Sequence, residues 1–288
     1  MSEKKTAFGK KTAHDEKEAA FRSDTASAKK TALVTGASSG IGMAIAEELI
    51  AEGYEVWGIG RNFRTRTEES DACPAEDKNS AAGPTEYAGI PGTQDILKNF
   101  HPVVLNLLDT PALLDFLKDF DREHRDDLQV LVNNAGCAYY GMHETLNPQM
   151  IEEIVRTDLE VPMVITGRLL RTIRKNRGSI IQICSVTSQE PAPHGAAYGA
   201  AKAGLYAFSR SLLAENRKYG VRVTAILPDM TDTSLYRNTD FEPDTAPGCS
   251  LSPEDVASAV RYALTQDFLV DTVTIRPQYH RIQKKSQA

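Results

Sequence analysis

The sequence predicts an α/β fold: a single doubly wound domain with a seven-stranded parallel sheet and helices on both faces. Three observations predict it. Short runs of aliphatic residues alternate with helical patterns along most of the chain, as in a sheet built from βαβ units. A glycine-rich turn, Gly36 to Gly42, sits between the first strand and the first helix. The 288 residues are 41% hydrophobic and 25% charged, too apolar for a disordered chain and long enough to bury a sizeable core.

Residues 1–28 are polar and repeat Lys-Lys-Thr-Ala at 4–7 and 10–13; they are expected to form a disordered leader. The third copy, at 29–32, coincides with the start of a strand, so the repeat is not structural. The folded domain is expected over 29–280, with 281–288 as a tail. Ala32-Leu33-Val34 reads as the first strand, Ala44 to Ile50 as a helix ending at Gly53, and Val56 to Ile59 as the second strand. Residues 62–100 hold Pro74, Pro84, Pro91, several glycines and many charges, and read as a surface insertion, functional or disordered. Alternation then resumes. Strands are expected at 103–105, 130–132, 180–183, 221–227 and 270–275. Helices are expected at 110–124, 148–175 with a break at Pro162, and 196–218. Ser252 caps a last helix, with Pro253 at its first position and Asp255 at its third.

The net charge of −6 argues against a nucleic-acid partner, which requires a basic face. Cys73, Cys137, Cys184 and Cys249 form no CxxC pair, so no metal site and no disulfide framework is expected. No apolar run is long enough to span a bilayer, so no membrane partner is expected. The polar N-terminus carries both Lys and Glu and lacks the apolar core of a secretory signal; the expected location is cytoplasmic.

In Thr35-Gly36-Ala37-Ser38-Ser39-Gly40-Ile41-Gly42, Gly36 permits a sharp turn, Gly40 lets the backbone approach a pyrophosphate, and Gly42 lets helix and strand pack closely. The following helix presents free N–H groups to phosphate. A structural turn would use glycine too; the flanking strand and helix favour the dinucleotide-binding, Rossmann-type reading. An acid at the end of the second strand would bond the ribose hydroxyl of NAD, and a base would accept the 2′-phosphate of NADP. The residues there are Gly60-Arg61. NADP is therefore expected ahead of NAD, with Ser38 as a second phosphate contact.

Tyr198 and Lys202 lie four apart in Tyr-Gly-Ala-Ala-Lys, which on a helix puts both on one face. A phenol with a pKa of about 10 is a poor acid–base group at neutral pH, and a nearby ammonium lowers it. Ser185 ends the strand thirteen residues before Tyr198, and Asn133-Asn134-Ala135-Gly136 follows the fourth strand. With TGxxxGxG, these motifs in this order resemble the short-chain dehydrogenase/reductase family over about 30–61 and 101–283.

The resemblance implies hydride transfer between NADP(H) and a small or medium-sized carbonyl or alcohol. Ser185 would hold the substrate oxygen, Tyr198 would transfer the proton, and Lys202 would assist it and reach the cofactor ribose. It implies cofactor contacts from Gly36, Ser38, Ser39, Gly40, Ile41, Gly42, Arg61, Asn106, Asn133, Ala135, Gly136, Tyr198, Lys202, Pro228 and Thr233. It also implies a homodimer or homotetramer paired through the helices at 148–175 and 196–218, whose apolar positions equally suit the sheet. Two positions depart from the family pattern. Asp158 stands where an asparagine usually supports a water beside the catalytic lysine; the carboxylate is expected to keep the relay with altered pH dependence. Pro228-Asp229 replaces Pro-Gly. The pocket segments carry Tyr139, Tyr140, Val186, Gln189, Leu235 and Tyr236, which suit an uncharged substrate. The competing reading is a catalytically weak NADP(H)-binding redox sensor or partner-binding protein, kept open by Asp158 and Asp229.

Overall fold

The computed structural model describes residues 29–63, 98–239, 241–279 and 281–285. The expected leader and residues 64–97 of the expected insertion lie outside the described residues.

The sheet strands are β1 (Thr31–Thr35), β2 (Glu55–Gly60), β3 (Phe100–Val104), β4 (Leu128–Asn133), β5 (Ser179–Ile183), β6 (Arg222–Pro228) and β8 (Thr272–Ile275). They form one seven-stranded sheet in the order β3-β2-β1-β4-β5-β6-β8, every pair parallel. The chain winds outward in opposite directions from β1 and β4, which leaves a crevice at the carboxyl ends of those strands. β3 starts earlier than the apolar run at 103–105, because Phe100 pairs with Val56. It also contains Pro102, which an edge strand tolerates because one side of its backbone has no partner.

Alternation along β1 feeds two cores. Ala32 and Val34 join Ala44, Ile45 and Leu49 of α1 (Gly40–Ala51) and Val256 and Val260 of α6 (Pro253–Thr265). Leu33 points the other way, to Leu113 and Leu117 of α2 (Thr110–Glu123), to Ile165 and Leu169 of α4 (Val161–Lys175), and to Leu212 of α5 (Ala196–Asn216). Each of the buried Val, Leu and Ile side chains among them contributes about 1.5–3 kcal/mol. Ser252 accepts from the Asp255 N–H at 3.1 Å, and Asp255 accepts from the Ser252 N–H at 2.8 Å, the reciprocal cap expected at the start of α6.

Two expectations are corrected. The helix expected over 148–175 is α3 (Pro148–Val155), a π turn (Arg156–Glu160) and α4. Pro162 has no N–H and its ring crowds the carbonyl four residues back, so the ladder widens in the turn before it. Asp158 sits in that turn, fully buried. The expected tail at 281–288 contains β9 (Ile282–Lys284), which pairs antiparallel with β7 (Phe241–Pro243). Among the described residues no helix is long and apolar enough to cross a membrane.

Candidate active site

The glycine turn is tied to the residues that follow β4. Thr35 Oγ1 accepts the backbone N–H groups of Asn134 and Ala135, both at 3.0 Å. Asn134 Nδ2 donates back to the carbonyls of Thr35 (2.9 Å) and Gly36 (3.3 Å). Gly36 has φ +69°, and a Cβ there would lie 2.9 Å from Ala135 Cα; a Cβ on Gly42 would lie 2.1 Å from the Gly36 oxygen. Ser39 precedes α1 without capping it through its side chain. The first-turn N–H groups therefore remain available to an anion. This narrow, backbone-lined cradle fits a dinucleotide pyrophosphate.

A cleft of about 1240 Å³ runs from this turn to the ends of β5, β6 and β8. Gly36, Ser38, Ser39, Gly40, Ile41, Gly42, Arg61, Asn106, Ala135, Gly136, Ser185, Tyr198, Lys202, Pro228 and Thr233 all line it. Arg61 is exposed at the end of β2. Gly60 lets the turn settle on that strand end, since a Cβ there would meet Ser38 Cβ at 2.7 Å. Asn133 and Asp158 do not line the cleft. Asn133 is buried behind it and donates to Thr166 Oγ1 at 3.1 Å, so its side chain serves the packing of α4 on β4.

Tyr198 and Lys202 share one face of α5, with Lys202 Nζ 5.7 Å from the Tyr198 ring centroid. Ser185 leaves β5 and opens a short 3-10 turn, its Oγ accepting the Thr187 N–H at 3.2 Å. Ser188 Oγ donates to the Lys202 carbonyl at 3.1 Å, which fastens this turn to α5. The Ser185 and Tyr198 side chains line the same cleft. Burial pushes the Tyr198 phenol well above its ordinary value, the Asp158 charge adds to the rise, and the Ser185 hydroxyl opposes it.

Asp158 reaches Lys202 directly. Its Oδ1 lies 3.0 Å from Lys202 Nζ, and its Oδ2 accepts the Cys137 N–H at 3.0 Å. Lys202 Nζ also donates to the Ile183 carbonyl at 2.9 Å. Burial pushes the Asp158 carboxyl up, and Lys202 and the Cys137 N–H pull it back. A Cβ on Gly136 would come within 2.8 Å of Asp158 Oδ1, so the glycine lets β4 and the π turn approach.

Several cleft residues were not singled out from the sequence as site residues. Arg276, past β8, pairs with Glu190 at 2.5 Å and Asp229 at 3.1 Å, joining the loops after β5, β6 and β8 along one rim. Phe241 on β7 also lines the cleft. Nothing in local spacing joins these residues, because their partners lie tens of positions away.

A doubly wound sheet with a phosphate cradle and a Ser–Tyr–Lys cluster in one cleft defines a nicotinamide-dependent oxidoreductase. The chain belongs to the short-chain dehydrogenase family, whose profile matches residues 30–87 and 90–243. It is an NAD(P)-dependent dehydrogenase or reductase acting on CH–OH or C=O groups. An uncharacterized oxidoreductase of Staphylococcus epidermidis is 32% identical over 252 residues, 86% of this chain and 97% of that protein. The 3-oxoacyl-[acyl-carrier-protein] reductase of Salmonella typhimurium is 34% identical over 209 residues, 72% of this chain and 76% of that protein. A metagenomic short-chain oxidoreductase solved in complex with NADP is 25% identical with a TM-score of 0.65, covering 86% of this chain and 97% of that one.

Proposed function

We propose that the protein is an NADP(H)-dependent carbonyl reductase or alcohol dehydrogenase with Ser185, Tyr198 and Lys202 as its catalytic residues and Asp158 as their support. The observation that carries this reading is the meeting of Ser185, Tyr198 and Lys202 in the same cleft as the glycine cradle. When bound, the nicotinamide supplies or accepts the hydride at the substrate carbon. Ser185 holds the substrate oxygen. In reduction the Tyr198 hydroxyl gives its proton to that oxygen as the alcohol forms; in oxidation it takes the proton back. Lys202 places positive charge beside the phenol, and Asp158 fixes the lysine.

The preference for NADP over NAD rests on Arg61, with no acid at the end of β2 and Ser38 at the same end of the cleft. The NADP complex of the 25% identical oxidoreductase supports it. The expected homodimer or homotetramer would pair through α3, α4 and α5.

The direct ion pair of Asp158 with Lys202 favours a second reading, a weakly catalytic NADP(H) sensor, because the carboxylate offsets the charge that should activate Tyr198. NADPH consumption with a range of aldehydes and ketones separates the two. Turnover that disappears in Tyr198→Phe supports the enzyme. Tight NADPH binding without turnover on any carbonyl supports the sensor.

A further inference from the structure

Tyr140, from the segment after β4, and Tyr236 and Phe241, from the loop after β6, meet beside Tyr198. Ring centroids are 6.1 Å apart for Tyr140 and Tyr236, 5.4 Å for Tyr140 and Phe241, and 5.7 Å for Tyr236 and Phe241. Tyr140 is 6.0 Å from Tyr198. All four rings line the cleft, so an apolar wall begins one ring away from the hydroxyl that would transfer the proton. Burial pushes the Tyr140 and Tyr236 phenols up, Tyr236 to about 12, so the wall is uncharged at neutral pH. These nearby charges have partners: Glu153 accepts the Tyr139 hydroxyl at 2.7 Å, Arg276 holds Glu190 and Asp229, and Arg237, which also lines the cleft, donates to the Ser234 carbonyl at 3.2 Å.

The wall is held from behind by Tyr279 and residues 281–285. In the β7–β9 pair Phe241 stands opposite Lys284 and Pro243 opposite Ile282. Lys285 Nζ donates to the carbonyls of Tyr236 at 2.6 Å and Arg237 at 3.2 Å. The Tyr279 N–H donates to the Gly248 carbonyl at 2.8 Å, closing the far end of the same loop. Two of the three rings therefore sit on backbone that this segment fixes. The family match stops at residue 243, so the clamp lies beyond the matched part of the chain.

We propose that the wall of Tyr140, Tyr236 and Phe241, clamped by β9 and Lys285, is a specificity site for a flat apolar substituent, an aryl group, on the carbonyl carbon of the substrate. The proposal rests on the carbonyl-reductase reading. Rigid aromatic faces gain most from a planar apolar partner, through area and ring geometry together. Lys285 acts as a positioning residue, through the carbonyls it holds.

The test compares NADPH oxidation by the full chain with benzaldehyde and with butanal. The wild type is expected to favour benzaldehyde by about tenfold or more in kcat/KM. Phe241→Ala and, separately, Lys285→Met should each remove most of that preference through KM. The NADPH dissociation constant should move by less than about twofold. Lys285→Met should also speed hydrogen exchange of the amides at 234–239 and 241–242. Equal or better use of butanal by the wild type overturns the proposal, as does an unchanged preference in both variants. Unchanged exchange in Lys285→Met overturns the clamp. A failure of the underlying function looks different: NADPH unbound, or bound and consumed with neither aldehyde, which removes the proposal together with that reading.

Discussion

Asp158 and Lys202 form an ion pair at 3.0 Å in the interior, the carboxylate fully buried and the lysine only 3% exposed. Lys202 lines the cleft with Asp158 behind it, and the pair sets the charge felt by Tyr198. Removing the negative charge should therefore lower the Tyr198 pKa, because the Asp158 charge is one of the two main causes of its rise. Alcohol oxidation needs the phenolate and rises with pH through that pKa; carbonyl reduction needs the phenol and falls through it. In Asp158→Asn both limbs should move to lower pH. Superimposable wild-type and variant pH–rate profiles would falsify the idea that Asp158 tunes Tyr198.

Arg61 is exposed at the cleft end where β2 stops. Arg61→Ala should weaken NADPH binding by about tenfold or more and leave NADH nearly unchanged. Titration of both nucleotides against wild type and variant reads this directly. An equal loss for the two would mean that Arg61 does not meet the 2′-phosphate.

Gly42 faces the Gly36 carbonyl across a gap that no side chain can enter. Gly42→Ala places a Cβ 2.1 Å from that oxygen, so the turn must open. Binding of both nucleotides should fall by about two orders of magnitude or disappear. Far-ultraviolet circular dichroism should show the rest of the fold retained. Full binding in the alanine variant would show that the turn relaxes freely.

Thr35 should matter for stability more than its small side chain suggests. Thr35→Val keeps the shape but leaves the N–H groups of Asn134 and Ala135 without their acceptor. These bonds are only partly buried, so their loss should cost about 1 kcal/mol and the variant should melt about 2–4 °C lower. Nucleotide added in excess should recover part of the loss by mass action. A melting point within about one degree of the wild type would count against the tether.

The alternation of strands and helices was readable because parallel strands buried on both faces give continuous apolar runs, and each run was bounded by turn residues. The local pair Tyr198 and Lys202 was readable for the same kind of reason, since four residues make one helical turn. Asp158 was visible as a departure that puts negative charge near Lys202, where the resemblance implies a water; the direct contact at 3.0 Å was not visible, because it depends on how the π turn packs against α5. Asn133 was expected among the cofactor contacts; its side chain donates to Thr166 behind the cleft, and its neighbour Asn134 ties the turn. β7 and β9 were missed because three-residue strands, one ending in Pro243, leave no periodicity to read.

The strand order also has a temporal side. β1 is flanked by β2, which follows at once, and by β4, which comes about 100 residues later. At about 5–20 residues per second a ribosome delivers β4 some 5–20 s after β1. Until then the first βαβ unit has one edge open and no crevice. Nucleotide therefore cannot scaffold the early stages of folding; it can only select chains whose middle has already been made.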